Sequence, residues 1–253
     1  MQIDLVYHPD RTLKGKLRRR LVRLVARRPA RVCLDRPMVS FTFDDAPASA
    51  THAGARTLEM RGARATYFVS ASLAGRDGPT GRFATRAETM AMQDSGHELA
   101  CHTYSHLDCG VAPVADIAAD VARNHAVLSD WGVRDLSTFA YPYGDVSTAA
   151  KSALGARYRL LRALHRGLVE DGTDLNQAPA VGIEGPGGEA VAASWIARAI
   201  RRRAWLILYS HDVSDRPTPW GCTPDALGRL ADQARAAGCD IVTVAEGARR
   251  IAA

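Results

Sequence analysis

From residue 38 onward, short apolar stretches of the chain alternate with stretches in which apolar residues recur at helical spacing. The apolar stretches have the length and composition of strands, at 39–43, 66–70, 98–101, 137–140, 157–161, 205–210 and 240–244. The helical patterns lie around 51–61, 85–94, 114–130, 147–154, 189–203 and 224–237. Such alternation is typical of parallel strands joined by crossover helices. About seven such units predict an α/β fold, a distorted (β/α) barrel of about seven parallel strands. Turn-rich tracts at 72–84, 171–188 and 214–224 are predicted to be loops that rim a site.

The chain carries a net charge of +6, and the positive charge is concentrated near the N-terminus. Residues 11–31 contain ten basic residues and no acidic one, whereas the rest of the chain carries 23 basic and 27 acidic residues. Because the main body is mildly acidic, we expect no nucleic-acid partner. The charge pattern predicts a basic N-terminal segment at 1–36 and a main domain at 37–253.

Residues 14–28 of the basic segment are predicted to form an amphipathic basic helix. Its apolar residues recur at helical spacing: Leu17, Leu21, Leu24 and Val25. Two interpretations are open. In the one that we favour, the apolar stripe packs on the domain and the charges face solvent. In the other, the helix contacts an anionic membrane surface or an acidic partner.

The N-terminal residues MQIDLVYHPDR contain acidic residues and lack the apolar stretch of a secretory signal. No stretch of about 18 apolar residues occurs, so we expect no membrane span. The five cysteines include no CxxC pair and do not indicate a disulfide framework. These features together predict a cytoplasmic protein, with peripheral contact at the inner membrane under the second interpretation of residues 14–28.

Two adjacent aspartates, Asp44 and Asp45, close the apolar stretch 39–43. In parallel α/β folds, ligands bind at the carboxyl ends of the strands. Neighbouring carboxylates repel each other unless a cation or a proton lies between them. An aspartate pair can also begin a helix as its N-cap, so this motif alone leaves both interpretations open.

His102 and His106 follow the stretch 98–101 and are four residues apart. On a helix or in a tight turn, this spacing places both imidazoles on one face. Two imidazoles and one carboxylate form a three-ligand metal site with open positions, which is typical of catalytic sites. Cys101, beside His102, is predicted to face the opposite side and to pack in the core.

Two further strand ends carry candidate catalytic groups. Pro142 and Gly144 predict a tight turn that exposes the Tyr143 amide N–H to a developing oxyanion. His211 ends the most apolar strand of the chain, and an imidazole suits proton transfer because its pKa lies near neutrality. Four strand ends on one rim therefore predict a hydrolytic site.

In order and spacing, these clusters resemble the motifs of the polysaccharide deacetylases of the NodB-homology type, carbohydrate esterase family 4. The stretch TFDDAP resembles the first motif of that family, usually TFDDGP, and HTYSH resembles its H-[ST]-x-x-H motif. YPYG and LYSH resemble its third and last motifs, and the resemblance covers about residues 38–250. It implies a distorted (β/α) barrel, one divalent ion such as zinc, and hydrolysis of the N-acetyl group of a sugar, a linear amide.

The resemblance also implies a role for each matching residue. The metal ligands are Asp45, His102 and His106. The catalytic residues are Asp44 as general base, His211 as general acid and Tyr143, whose amide helps to form the oxyanion hole. Tyr143 and Trp220 are the expected substrate-binding residues. Trp220 is interpreted either as a platform on which a sugar ring stacks or as an apolar anchor of its loop.

Two positions depart from the family pattern. The family often has an arginine that supports the base two residues before the proline of the third motif, where this chain has Ala140; Arg162 is a candidate replacement. The aspartate that orients the acid histidine is not evident either, and Asp171 and Asp174 are the candidates.

We therefore expect a polysaccharide N-deacetylase acting on N-acetylhexosamine units of a bacterial polysaccharide or its lipid-linked precursor, with holdfast-type deacetylases as a possible parallel. Hydrolysis of another amide or ester on the same scaffold is an alternative. A carbohydrate-binding or membrane-tethered adaptor without activity is the non-enzymatic alternative. Deacetylation of N-acetylglucosamine oligomers distinguishes the first from the second, and stoichiometric metal with no turnover on any acetylated sugar would favour the adaptor.

Overall fold

The computed structural model describes Thr12, Gly15 and residues 20–251. Its strands are β1 (Met38–Asp44), β2 (Thr66–Val69), β3 (Asp77–Gly78), β4 (Gly81–Arg82), β5 (Glu98–Cys101), β6 (Thr138–Ala140), β7 (Leu160–Arg162), β8 (Val181–Gly182), β9 (Trp205–Ser210) and β10 (Asp240–Ile241). One sheet has the order β7-β6-β5-β2-β1-β9-β8, with β10 also paired to β1, and its strand pairs are parallel. The predicted α/β fold with about seven parallel strands is confirmed.

Helices connect the strands and cover the outside of the sheet. Their bounds are Ala50–Gly54 (a π-helical turn), Ala55–Glu59, Arg86–Asp94, Val114–Trp131, Thr148–Gly155, Gly188–Arg202, Pro224–Ala236 and Val244–Ile251. Local sequence explains several of these bounds. Thr85 and Glu88 form a reciprocal capping box at the start of Arg86–Asp94, and Gly132, at φ 103°, ends Val114–Trp131.

The sheet curls because one segment of the chain joins its two edges. Beside β7, the backbone N–H of Leu161 donates to Leu175 O, and Ala178 forms a parallel bridge with Arg162. The same segment then continues into β8, which pairs with β9 through Val181 and Leu208. This arrangement produces a distorted barrel with a continuous buried interior.

The alternation of side chains along a strand decides which residues face the barrel interior. On β1, Val39, Phe41 and Phe43 belong to the core cluster beneath the helices. Met38 belongs to a second cluster with the interior residues of other strands: Phe68, Ala100, Ala140, Leu160 and Ile207. Asp44 continues the alternation that starts at Met38. Arg162 follows Leu160 in the same way, so the two charged residues point toward the same interior.

Three regions differ from the sequence-based expectation. The tract 171–188 contains β8, and the tract 72–84 contains the β3–β4 hairpin. These strands were not predicted, because a strand of two residues is too short to show a periodic pattern. The strand predicted at 240–244 ends at Ile241. Val244 instead begins a helix whose buried residues Val244, Ala248 and Ile251 recur at helical spacing.

In the described residues, the helix predicted over 14–28 does not continue beyond Leu21, although Gly15 is also helical. Residues 14 and 16–19 lie outside the described residues, Arg20 and Leu21 are helical, and the chain turns at Val22. At this turn the backbone carbonyl of buried Val22 accepts a hydrogen bond from the Lys151 ammonium, at 2.7 Å. Further on, the Arg28 N–H donates to Asp174 Oδ1 and Ala30 N–H donates to Thr173 O, so this segment runs along the barrel.

Three of the four apolar residues that were predicted to pack on the domain are exposed instead. Leu21, Leu24 and Val25 are 49%, 72% and 46% exposed, while Leu17 lies outside the described residues. Only Val22, between them, is buried. Among the helices of the described residues, none has the length and apolar character needed to cross a bilayer. The division at residue 36 stays a prediction.

Candidate active site

The predicted site residues line one cavity of about 260 Å³ at the carboxyl ends of the strands. They are Asp44, Asp45, His102, His106, Tyr143, His211 and Trp220. Their positions span 177 positions of the chain, and only the curled sheet brings them to one rim. The structure therefore collects the whole predicted set in one place, while their individual roles stay predictions.

Asp45, His102 and His106 each direct one ligand atom toward the others, and these atoms lie within 4.8 Å of one another. The Nε2 atoms of His102 and His106 lie 3.7 and 3.3 Å from Asp45 Oδ1. That carboxylate oxygen is buried and has no hydrogen-bond donor among the residues that the structure describes. Burial lowers the pKa of both imidazoles to about 4, so they are neutral at pH 7 and present lone pairs. A buried carboxylate oxygen beside two neutral imidazoles has the donor set that a divalent cation such as zinc prefers.

Hydrogen bonds fix the orientation of the first histidine. The Nδ1 atom of His102 lies 2.8 Å from the carbonyl oxygen of Ala140, to which it donates when the imidazole is neutral. This contact leaves Nε2 to face Asp45. The His102 carbonyl accepts a hydrogen bond from the Ser70 hydroxyl at 2.7 Å, so the backbone is held as well.

The loop between the two histidines is held by polar side chains. The Thr103 hydroxyl accepts a hydrogen bond from the Leu107 N–H at 2.8 Å and so braces the loop. The backbone N–H groups of Tyr104 and Ser105 donate to Asp120 Oδ1 at 2.6 and 3.1 Å. The Ser105 hydroxyl donates to the same carboxylate, so one acidic side chain on a neighbouring helix anchors the loop.

Backbone strain is concentrated at these strand ends. In the described residues, seven non-glycine residues have positive φ, and five of them belong to the site loops: Asp45, Ala46, Thr103, His106 and Tyr143. Such conformations are unfavourable for residues with a Cβ and persist where the surrounding structure enforces them. The conformation of these loops therefore directs particular side chains, such as those of Asp45 and His106, into the cavity.

Asp44 is fully enclosed beside the ligand cluster. Its Oδ1 accepts a hydrogen bond from Nη2 of Arg162, whose side chain is also buried. Burial alone would raise the pKa of Asp44, but the positive charge of Arg162, with smaller effects of His102 and His211, lowers it below its ordinary value. Asp44 is therefore ionised at neutral pH and can accept a proton. Arg162 occupies the place expected for a replacement of the missing arginine at Ala140.

His211 is oriented by a carboxylate, but not by either predicted aspartate. Its Nδ1 donates to Glu184 Oε1 at 2.9 Å. Asp174 is instead paired with Lys151, and Asp171 accepts from the Val32 N–H, so the prediction of these two aspartates was wrong. Both belong to the edge of the barrel that holds the N-terminal segment. The carboxylate at the end of β8 is the one that reaches the cavity.

The pKa values of the candidate base and acid are shifted in opposite directions. Burial lowers the pKa of His211, but its hydrogen bond to Glu184 and the nearby carboxylates of Asp44 and Asp45 outweigh burial and raise it to about 9. At pH 7 the imidazole is consequently protonated while Asp44 is ionised. Two titratable groups in opposite protonation states within one cavity suit general acid and general base roles.

Tyr143 and Trp220 are aromatic residues that line the cavity. The Tyr143 ring packs edge-on against His106, with the ring centroids 4.5 Å apart. Its backbone has φ 59° within a single 3₁₀ turn, Pro142–Gly144. The Trp220 side chain is 41% exposed, while its carbonyl accepts the His211 N–H at 3.0 Å. The indole therefore presents a face to solvent, and the stacking and oxyanion roles stay predictions.

Sequence reasoning missed five lining residues, and Glu184 and Thr80 are the two that the chemistry below uses. Glu184 follows the apolar residues Ala180, Val181 and Ile183, and a charged residue after an apolar run is typical of a strand end. The surrounding glycines and prolines made this region look like a loop. Thr80, at the turn of the β3–β4 hairpin, carried no signal, because a threonine between Pro79 and Gly81 is ordinary turn composition.

The chain is similar in sequence to known proteins. The family model described as polysaccharide deacetylase matches residues 31–159, half of the chain. Chitin deacetylase 1 of Cryptococcus neoformans var. grubii is 25% identical over 145 residues, which are 57% of this chain and 29% of that protein. The chain thus spans under a third of the length of this curated relative.

Two solved structures share the fold. The carbohydrate esterase domain of a xylanase from the hindgut metagenome of Trinervitermes trinervoides superposes with a TM-score of 0.58 at 19% identity, covering 84% of this chain and 89% of that one. The chitin deacetylase of Colletotrichum lindemuthianum superposes with a TM-score of 0.57 at 18% identity, covering 84% and 88%.

Proposed function

Because the chain belongs to the polysaccharide deacetylase family, we propose that it hydrolyses N-acetyl groups of N-acetylhexosamine units, in a bacterial polysaccharide or its lipid-linked precursor. The observation that carries the proposal is the single cavity that holds an ionised carboxylate, a protonated imidazole and a metal-type ligand triad. Hydrolysis of an amide requires a reactive nucleophile and protonation of the leaving amine. The ionised carboxylate and a bound metal ion would activate the water, and the protonated imidazole would supply the proton to the amine.

The proton transfers can be assigned to particular atoms. Asp44 Oδ2 accepts a proton from the attacking water, because Arg162 occupies Oδ1 and holds the carboxylate in its charged form. His211 Nε2 donates a proton to the departing amine nitrogen, because Nδ1 is engaged by Glu184. The products are acetate and the free amine of the sugar. Enclosure of both groups limits competing exchange with bulk water.

Asp45, His102 and His106 would hold the divalent ion. When bound, such an ion polarises an amide carbonyl and makes water more acidic, which a carboxylate alone cannot do at neutral pH. We propose zinc, because two imidazoles and one carboxylate are its common catalytic ligand set. The Tyr143 amide is the proposed donor to the developing oxyanion, and Trp220 the proposed stacking face for the sugar.

Metal content and acetate release, measured on the same protein, test the proposal. We expect about one divalent ion per chain and acetate release from N-acetylglucosamine oligomers that a chelator abolishes and added zinc restores. Hydrolysis of an ester or a cyclic amide, without acetate release from any acetylated sugar, would favour the alternative that the protein hydrolyses another amide or ester on this scaffold. Stoichiometric metal without turnover of either substrate class would favour an inactive carbohydrate-binding adaptor.

We also propose that residues 20–27 contact an anionic membrane at the cytoplasmic side. Leu21, Leu24 and Val25 are three of the seven large apolar side chains that are exposed among the described residues. They alternate with Arg20, Arg23 and Arg27, and apolar insertion next to cationic contacts is the composition of interfacial segments. Leu24→Ser should weaken sedimentation with phosphatidylglycerol vesicles. Val111→Ser, at a similarly exposed site elsewhere, should not, and equal effects would contradict the proposal.

A further inference from the structure

The β3–β4 hairpin closes one side of the active-site cavity. Its turn residues Pro79 and Thr80 line the same cavity as Asp44 and His211. We propose that the Thr80 hydroxyl hydrogen-bonds to a ring hydroxyl of the acetylated sugar and is a specificity-determining residue. The inference rests on the proposed function, since it names a contact to the substrate of that same site.

The first support is the state of the Thr80 side chain. The residue is only 6% exposed, and its Oγ1 is buried without a hydrogen-bond partner in the described part of the chain. Buried hydroxyls are nearly always paired, because their desolvation is otherwise uncompensated. A buried hydroxyl that lines a substrate cavity and has no protein partner is suited to pair with the ligand.

The second support is the rigidity of the hairpin. Arg82 forms a bidentate pair with Glu88, at 2.8 and 2.7 Å. Glu88 also accepts from the Thr85 N–H at 2.7 Å, which joins the hairpin to the next helix. The Phe83 ring lies against Gly78, where an added Cβ would come within 2.4 Å of it. The turn is therefore held in place before any ligand arrives.

The hairpin is also coupled to the catalytic loop. The Ala84 N–H donates to the carbonyl oxygen of Ala46 at 2.9 Å, and Pro47 and Phe83 form an antiparallel bridge. Ala46 follows Asp45 directly. The backbone that holds Thr80 is therefore bonded to the backbone that positions the two aspartates. A sugar bound by Thr80 would have its acetamido group held at a fixed position relative to these aspartates.

The other polar groups of the cavity indicate which ligand group Thr80 meets. Asp44 is engaged by Arg162, and Glu184 is engaged by His211. The Asp45 cluster has the donor set of a cation site. A threonine hydroxyl both donates and accepts, as a sugar hydroxyl does. Recognition by such a group discriminates strongly against substrates that lack the partner.

Thr80→Val tests this, because it keeps the shape of the side chain and removes only the hydroxyl. We expect kcat/KM on N-acetylglucosamine oligomers to fall by about 10-fold or more, while hydrolysis of 4-nitrophenyl acetate, which has no sugar hydroxyl, changes by less than about 2-fold. Thr80→Ser should restore most of the loss. Metal content should be the same in all variants.

Thr57→Val provides the matched control, because Thr57 is also 6% exposed but lies in the helix Ala55–Glu59 and does not line the cavity. It should leave both activities unchanged. A Thr80→Val loss that is equal for the sugar and the ester, or no loss at all, would overturn the inference.

Binding distinguishes a failure of this inference from a failure of the proposed function. The Kd of an N-acetylglucosamine tetramer, measured by calorimetry, should rise about 10-fold in Thr80→Val. If wild-type protein releases no acetate, the proposed function fails, yet the Kd comparison still decides the role of Thr80. Equal Kd values in the two proteins, or no binding by wild type, would overturn the inference.

Discussion

The guanidinium of Arg162, at the end of β7, donates a hydrogen bond to the carboxylate of Asp44, at the end of β1. The two residues are 118 positions apart in the chain, and both side chains are buried. The guanidinium carbon also lies 5.0 Å from the Phe68 ring centroid and 5.6 Å from that of Tyr209. Aromatic rings and a carboxylate together stabilise a cation inside the barrel.

Removing this cation should destabilise the fold and stop catalysis together. Arg162→Met leaves the Asp44 carboxylate buried without a partner, which costs about 3–5 kcal/mol in the free energy of unfolding. Urea denaturation and kcat on an acetylated oligosaccharide measure the two effects. Arg202→Met, which breaks the exposed pair with Glu170, should cost less than about 1 kcal/mol. Similar losses in both variants would show that the Asp44 pair has no special role.

The adjacent aspartates Asp44 and Asp45 should have different roles, one as a base and the other as a metal ligand. Asp44→Asn should keep the metal and lose about 10²–10⁴-fold in kcat, because an amide cannot accept the proton. Asp45→Asn should lose metal affinity, since Asp45 is the carboxylate of the ligand triad. Metal content by mass spectrometry and acetate release separate the two outcomes. Equal metal loss in both variants would contradict the division of roles.

Glu184 should act through His211 as a positioning residue. Glu184→Gln removes the negative charge that helps to raise the pKa of His211 to about 9, so that pKa should fall. We expect kcat to drop by about 10²-fold with little change in KM. NMR titration of the imidazole and steady-state kinetics report the two effects. Glu189→Gln, at an exposed pair with Arg229, is the control and should change neither quantity.

A histidine remote from the cavity should contribute to acid destabilisation. Burial, with a smaller effect of Arg157, lowers the pKa of His125 to about 4, whereas an unfolded histidine has a pKa of about 6.5. The unfolded state therefore binds a proton that the folded state rejects, and stability falls as the pH decreases from about 6.5 to about 4. His125→Gln should therefore flatten the curve of unfolding free energy against pH between about pH 4 and 6.5. Parallel curves for variant and wild type would exclude this contribution.

The sequence alone specified the alternation of strands and helices and the residues that end the strands. Apolar runs that close on Asp44, His102 or His211 identify a strand and a candidate ligand at once, because parallel strands direct their carboxyl ends to one edge. The family motifs are local in sequence, so a single chain was sufficient to find them. The same reasoning placed Arg162 among the candidates for the base-supporting cation.

The tertiary structure alone decided which charged side chains meet. Glu184, and neither Asp171 nor Asp174, reaches His211, because β8 pairs with β9 and ends beside it, whereas the two aspartates hold the N-terminal segment. Likewise, Leu21 and Leu24 are exposed while Val22, between them, is buried and its carbonyl is bound by Lys151. These contacts join residues more than twenty positions apart, and no local pattern encodes them. They depend on how the strands curl and pair, which is a property of the whole barrel.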